Sequence, residues 1–160
     1  MIVYLGIPLL LTSAALQSMW LERLHLLGGR PDLVLLIVLS WGVMRGLQEG
    51  MLWAFVGGLC LDALSAAPFG LWTATLTILA FIANQPWMAS LGPTVIRLTL
   101  IGLIGTLLAH GMLILLGSIL GLPLTLQDAF NRMLASAVLN LILAPFVYRF
   151  LHVFHVAFPA

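Results

Sequence analysis

The sequence predicts an all-helical integral membrane protein, a bundle of six transmembrane helices, or five if the second apolar stretch only re-enters the bilayer. Three observations predict this class. The 160 residues are 62% hydrophobic and only 7% charged, with a mean hydropathy of +1.19, whereas a soluble domain is about 45–50% apolar and about 25% charged. Apolar stretches of roughly 20 residues, enough to cross a bilayer as a helix, recur along the chain. These runs are continuous, without the alternation over about ten residues that marks a membrane β-barrel strand. A sphere of this size cannot hide so much apolar surface. A soluble enzyme, a nucleic-acid binder and a disordered tail are thereby excluded, and one domain, residues 1–160, is expected.

The first span is residues 2–21, closed by Glu22 and Arg23. Its start lacks the basic n-region of a cleaved signal, so it is read as a retained helix. The second covers 31–44. Pro31 suits a helix start because its missing N–H is not needed there. The stretch is short for a crossing unless Asp32 and Arg45 mark its ends and reach the interface. A turn at Arg45-Gly46 leads into the third span, 47–65, and the chain breaks again at Ala66-Ala67-Pro68-Phe69-Gly70. The fourth covers 70–84 and ends at Asn84-Gln85-Pro86, followed by a short polar and aromatic link to Pro93. The fifth, 94–120, is long enough to tilt and is stopped by Gly121-Leu122-Pro123. The sixth, 127–152, contains Pro145, expected to kink it or free a carbonyl.

Charge adds little direction. The net charge is +1 and all six basic residues are arginine. They divide evenly between alternate connections, Arg23, Arg30 and Arg132 against Arg45, Arg97 and Arg149. The positive-inside rule therefore does not orient the chain. The single cysteine, Cys60, has no ligand spacing beside it and reads as a small core hydrophobe.

Small residues let membrane helices approach closely. Gly46, Gly50, Ala54 and Gly58 recur at intervals of four, with Gly57 alongside; Gly105 and Ala109, Gly117 and Gly121, and Ser136, Asn140 and Ala144 repeat the spacing. Such faces serve either packing within one bundle or the docking of another membrane protein. Trp20 and Trp87 lie near proposed helix ends and fit interfacial belts. Trp41, Trp53 and Trp72 fall deeper and are expected between helices.

Ionisable groups inside a membrane are costly and often functional. Asp62 is read either as a boundary residue making a helix-end hydrogen bond or as a polar anchor for a partner or loop. Arg45 and Glu49, four apart, either share a helical face or bracket the turn between spans two and three. Asp128 and Arg132 repeat that spacing where acid suits a helix N-terminus. His110 reads as a hydrogen-bonded packing residue, and His152 with His155 as interfacial, since two ligands make a weak zinc case. No P-loop, H-E-x-x-H or G-x-S-x-G motif occurs. No cofactor, metal or catalytic residue is expected. An intramembrane hydrolase built on Asp32 and Asp62 remains as a minor alternative.

The stretch from Arg30 to Gly70 carries a family resemblance. It reads Arg30-Pro31-Asp32-Leu33, an apolar run with Trp41, then Arg45-Gly46, Glu49-Gly50, Phe55, Gly57, Leu59, Leu61-Asp62 and Pro68-Phe69-Gly70. This resembles the bacterial rod shape-determining protein MreD family. The resemblance implies a non-enzymatic, multi-pass inner-membrane scaffold of the cell-elongation machinery, with both termini cytoplasmic. It implies direct binding of MreC and membership of a complex with MreB, RodA and its transpeptidase partner. It also implies a fold similar to the substrate-binding subunits of energy-coupling factor transporters. On this reading Gly50, Gly57 and Gly58 serve close packing, Pro31, Asp32, Asp62 and Gly70 shape the segment, and the partner's helix docks on an exposed small-residue face. The rival is a substrate-capture subunit of a small-molecule transporter, whose polar candidates are Asn84, Gln85, His110, Asn131 and Asn140.

Overall fold

The computed structural model describes residues 2–21, 29, 31–65, 68–119 and 126–157. Helix α1 (Ile2–Leu16) continues into a π-helical turn (Gln17–Leu21) and is followed by α2 (Leu33–Arg45), α3 (Leu47–Leu64) and α4 (Leu71–Ala83). A 3-10 turn (Pro86–Leu91) precedes the two long helices, α5 (Thr94–Ile119) and α6 (Leu126–Ala157). The described residues are all-helical apart from turns and Gly29, as the apolar runs imply. Helix α6 runs through Pro145 without a break. The link after α4, expected only as a connection, is itself helical. The calls on Gly117 and Asp128 rest on side chains outside those described, and Gly121 lies outside the described residues.

Helix α2 is the centre of the bundle. Val34 through Gly42 are buried without interruption, so this helix has neighbours on every side, which is how a helix apolar all round is accommodated. α3 lies against it, with Gly57 facing Val34 and Val38, and Gly50 facing Gly42. A Cβ on Gly50 would sit 2.7 Å from the Gly42 Cα, a backbone approach open only to glycine. α1 runs beside α3, its Gly6 against the Trp53 ring and the Ser18 hydroxyl donating to the Leu64 carbonyl at 3.1 Å. α5 and α6 pack on each other as a hairpin and meet the rest mainly through α2 and α4, with Gly29 also lying against the backbone of Ala135 and Ser136 on α6.

The helices differ in reach. At 1.5 Å per residue, the 13 residues of α2 and of α4 extend about 20 Å, less than the roughly 30 Å of a hydrocarbon core. Within α5 and α6, Thr94–Met112 and Phe130–Phe154 are each long and apolar enough to cross a membrane.

Candidate functional site

Three polar knots sit in this apolar bundle, and they take up most of the residues singled out from the sequence. The first joins α2 to α3. Gly46 stands between the helices at φ 94° and ψ −179°, a region essentially confined to glycine. Arg45 therefore ends α2 and Glu49 opens α3, so they bracket the turn. Their common contact is Trp41, whose Nε1 donates to Glu49 Oε2 at 3.2 Å while the Arg45 guanidinium lies 5.3 Å from its ring centroid. Trp41 stacks on Trp53 with centroids 4.5 Å apart. Both indoles are buried, as is Trp72, while Trp87 is exposed.

The second knot joins α3 to α4. The Asp62 carboxylate reaches across to the first turn of α4, where Oδ1 accepts the Trp72 N–H at 2.9 Å. Oδ2 accepts the Thr73 N–H at 3.1 Å and the Thr73 hydroxyl at 2.6 Å. Orphan amides at a helix start need such acceptors. The helix-end hydrogen bond is thus made, but to the next helix instead of Asp62's own. Gly70 precedes α4 in the left-handed region, φ 96° and ψ −13°, and turns the chain so that Asp62 can cap it. Gly58 completes the junction, because a Cβ there would collide with the Thr73 backbone.

The third knot gathers four helical segments around Asp32. That residue does mark a helix end, as expected, at the N-cap of α2, but its side chain does not reach out to an interface. It is instead fully buried, at 0% exposure, because polar partners surround it inside the bundle. Asn140 of α6 accepts the Asp32 N–H at 2.7 Å and donates to Asp32 Oδ2 at 3.0 Å and Thr106 Oγ1 at 2.7 Å. Thr106 in turn donates to the Gly102 carbonyl at 2.8 Å. Gln17 donates to Asp32 Oδ1 at 3.4 Å and accepts the Val34 N–H at 3.2 Å. The amides that open α2 are capped by side chains of the π-helical turn and of α6, not by Asp32 itself. Pro31 is buried and precedes the helix, which begins at Leu33.

Sequence reading missed Gln17, Thr106 and Thr73. The signal for the first two is general: a polar side chain inside an apolar helix must find a partner there. Of the other polar candidates, Asn84 donates to the Ala80 carbonyl at 2.8 Å and Gln85 to Phe81 at 3.3 Å, while Asn131 is exposed. His110 Nδ1 lies 3.0 Å from the Thr106 carbonyl, and a carbonyl only accepts, so Nδ1 carries the proton. His152 is exposed; the side chain of His155 lies outside those described. Asp32 and Asp62 bond to different partners and share none of the bonds above.

The small residues of α3 also find their place. Gly50, Ala54, Gly57 and Gly58 are all buried, as are Gly105, Ala109, Ser136, Asn140 and Ala144 on α5 and α6. They are packing faces within the bundle. Among the described residues no group of three or more His, Cys, Asp or Glu side chains is arranged to hold a metal.

No curated protein and no solved structure matches the chain. The profile described as rod shape-determining protein MreD matches residues 1–154, so the likeness extends well beyond the stretch from Arg30 to Gly70 to nearly the whole bundle. The chain belongs to the rod shape-determining protein MreD family.

Proposed function

We propose that this member of a membrane-associated cell-shape family is a multi-pass, non-enzymatic scaffold of the bacterial inner membrane. It binds MreC directly and, with MreB, RodA and its transpeptidase partner, supports lateral peptidoglycan synthesis. An even number of crossings leaves both termini on one side, and the family resemblance makes that side the cytoplasm. The observation that carries this reading is the family match over residues 1–154. Physical support comes from how the charged groups are used. Asp32, Asp62 and Glu49 all bond to groups that tie one helix to another. The surface left to act on a partner is apolar, including Leu52 and Phe55 on α3 and Leu100, Ile104 and Leu108 on α5. Because Gly50, Gly57 and Gly58 face inward, the partner's helix docks on this larger apolar surface, adding van der Waals contact where lipid gives no hydrophobic drive.

Co-expression with MreC and purification through a tag on either chain tests the proposal. Recovery of both chains in mild detergent is expected. Recovery of the tagged chain alone, with both present in the membrane, would contradict it.

The reading as a substrate-capture subunit, on a fold like that of energy-coupling factor transporters, has one observation in its favour: polar groups from four segments converge around Asp32. Such a site needs polar atoms turned toward a ligand, whereas Asn140 uses both its oxygen and its nitrogen on Asp32 and Thr106. Native mass spectrometry of the purified protein decides it. A reproducible small-molecule adduct lost on Asn140→Leu favours capture, and its absence favours the scaffold.

A further inference from the structure

The knot around Asp32 lies where two parts of the molecule meet. Within α1–α4 the helices are held by glycine-mediated backbone approach, Gly42 to Gly50 and Gly58 to Thr73, and by the Asp62 cap. Beside the knot the α5–α6 hairpin shares this device, with Gly29 lying against the backbone of Ala135 and Ser136; farther along α5 it meets that body differently. There its contacts among the described residues include aliphatic side chains, with Leu36 3.4 Å from a Cβ placed on Gly102 and Leu79 2.8 Å from one on Gly105. In a bilayer, lipid chains offer such surfaces an equivalent partner, so aliphatic contact alone specifies position weakly. Across this junction Asn140 of α6 both accepts from and donates to Asp32 at the start of α2, while Thr106 accepts from Asn140 within the hairpin and Gln17 steadies Asp32 from the other side. The π-helical turn that begins at Gln17 belongs to a class of local distortion found mostly at functional positions. Among the described residues, the hairpin also comprises the two helices long and apolar enough to cross a membrane.

We propose that the Asp32–Asn140 pair, with Gln17 and Thr106, is a releasable polar latch that holds the α5–α6 hairpin in register on the α1–α4 body. Closed, it fixes hairpin and body as one scaffold surface. Open, the hairpin slides or tilts against α2 while α1–α4 keep their packing. Asp32 and Asn140 act here as positioning residues.

The test measures seating of the hairpin and integrity of the body separately, in the full-length protein with Cys60→Ser. Leu36→Cys and Gly102→Cys report seating through a short bifunctional thiol reagent applied to membranes. The circular dichroism of the stacked Trp41–Trp53 pair in purified protein reports the body. Asn140→Leu is expected to lower the cross-linking yield at least threefold while the tryptophan signal persists. The exchange Asp32→Asn with Asn140→Asp restores a donor opposite an acceptor, and is expected to recover most of the yield that Asn140→Asp alone loses. An unchanged yield in Asn140→Leu overturns the latch. So does loss of both signals together, which makes the knot part of one cooperative fold, and so does failure of the exchange to rescue.

Discussion

Asp62 and Thr73 are joined twice: one carboxylate oxygen accepts both the backbone N–H and the hydroxyl of Thr73, at 3.1 and 2.6 Å. With the Trp72 N–H on the other oxygen, α3 supplies the cap that α4 lacks in its own sequence, since Gly70 has no side chain to offer. A charge-assisted bond contributes about 1.5–3 kcal/mol and an N-cap about 0.5–2 kcal/mol. Asp62→Ala is therefore expected to cost about 2–3 kcal/mol, and Thr73→Val, which keeps both backbone bonds, about 1 kcal/mol. Thermal unfolding in detergent checks the order. An Asp62→Ala midpoint equal to wild type would refute the cap.

Gly58 makes the same junction sterically. A Cβ there meets the Thr73 backbone, which cannot move without α4, while one on Gly111 meets nothing within 4 Å. Gly58→Ala is expected to destabilise by about 1–3 kcal/mol, the usual range for overpacking. Gly111→Ala should be neutral or stabilising by up to about 1 kcal/mol, because alanine favours the helix. Equal behaviour of the two in the same unfolding assay would count against the close approach of α3 and α4.

Gly46 and Gly70 both have positive φ but differ in ψ, −179° against −13°. Asparagine visits the left-handed region near Gly70 and is excluded from the extended region of Gly46. Gly70→Asn should thus cost little, and Gly46→Asn about 1–3 kcal/mol. Neither glycine has a neighbour within 4 Å of a built Cβ, so the contrast isolates backbone conformation. Identical melting shifts for the two variants would show that the turn geometry is wrong.

Trp41→Phe removes the bond to Glu49 and retains a ring against Trp53. A loss of about 1 kcal/mol is expected. Glu49→Ala should cost a similar amount, and the double variant little more than either single one, since both remove one interaction. Strict additivity in this cycle would exclude the Trp41–Glu49 bond.

The helical class was legible because it follows from composition and continuous apolar runs, and the turns because Gly46, Gly70 and the Asn84-Gln85-Pro86 stretch announce themselves. The inward faces of α3, α5 and α6 were legible from spacing by four. The knot around Asp32 was not. Asp32 and Asn140 are 108 positions apart, and a carboxylate beside a proline at the start of a short apolar run looks the same in sequence whether it faces water or an amide. Gln17 was hidden for a related reason: an α-helix reading gives no cause to expect the π-helical turn that begins there. The Asp62 cap was half legible, as a helix-end bond whose recipient only the packing of α4 on α3 identifies.

Cross-linking to MreC tests the central claim most directly. In a Cys60→Ser background, single cysteines at exposed Phe55 on α3 and at Ile104 and Leu108 on α5, with buried Leu35 as the control, are co-expressed in membranes with MreC carrying cysteines along its transmembrane helix. The scaffold account predicts adducts from one of these exposed faces, recurring at helical spacing, and none from Leu35. Absence of adducts from every exposed position, with both chains in the same membrane, would contradict it.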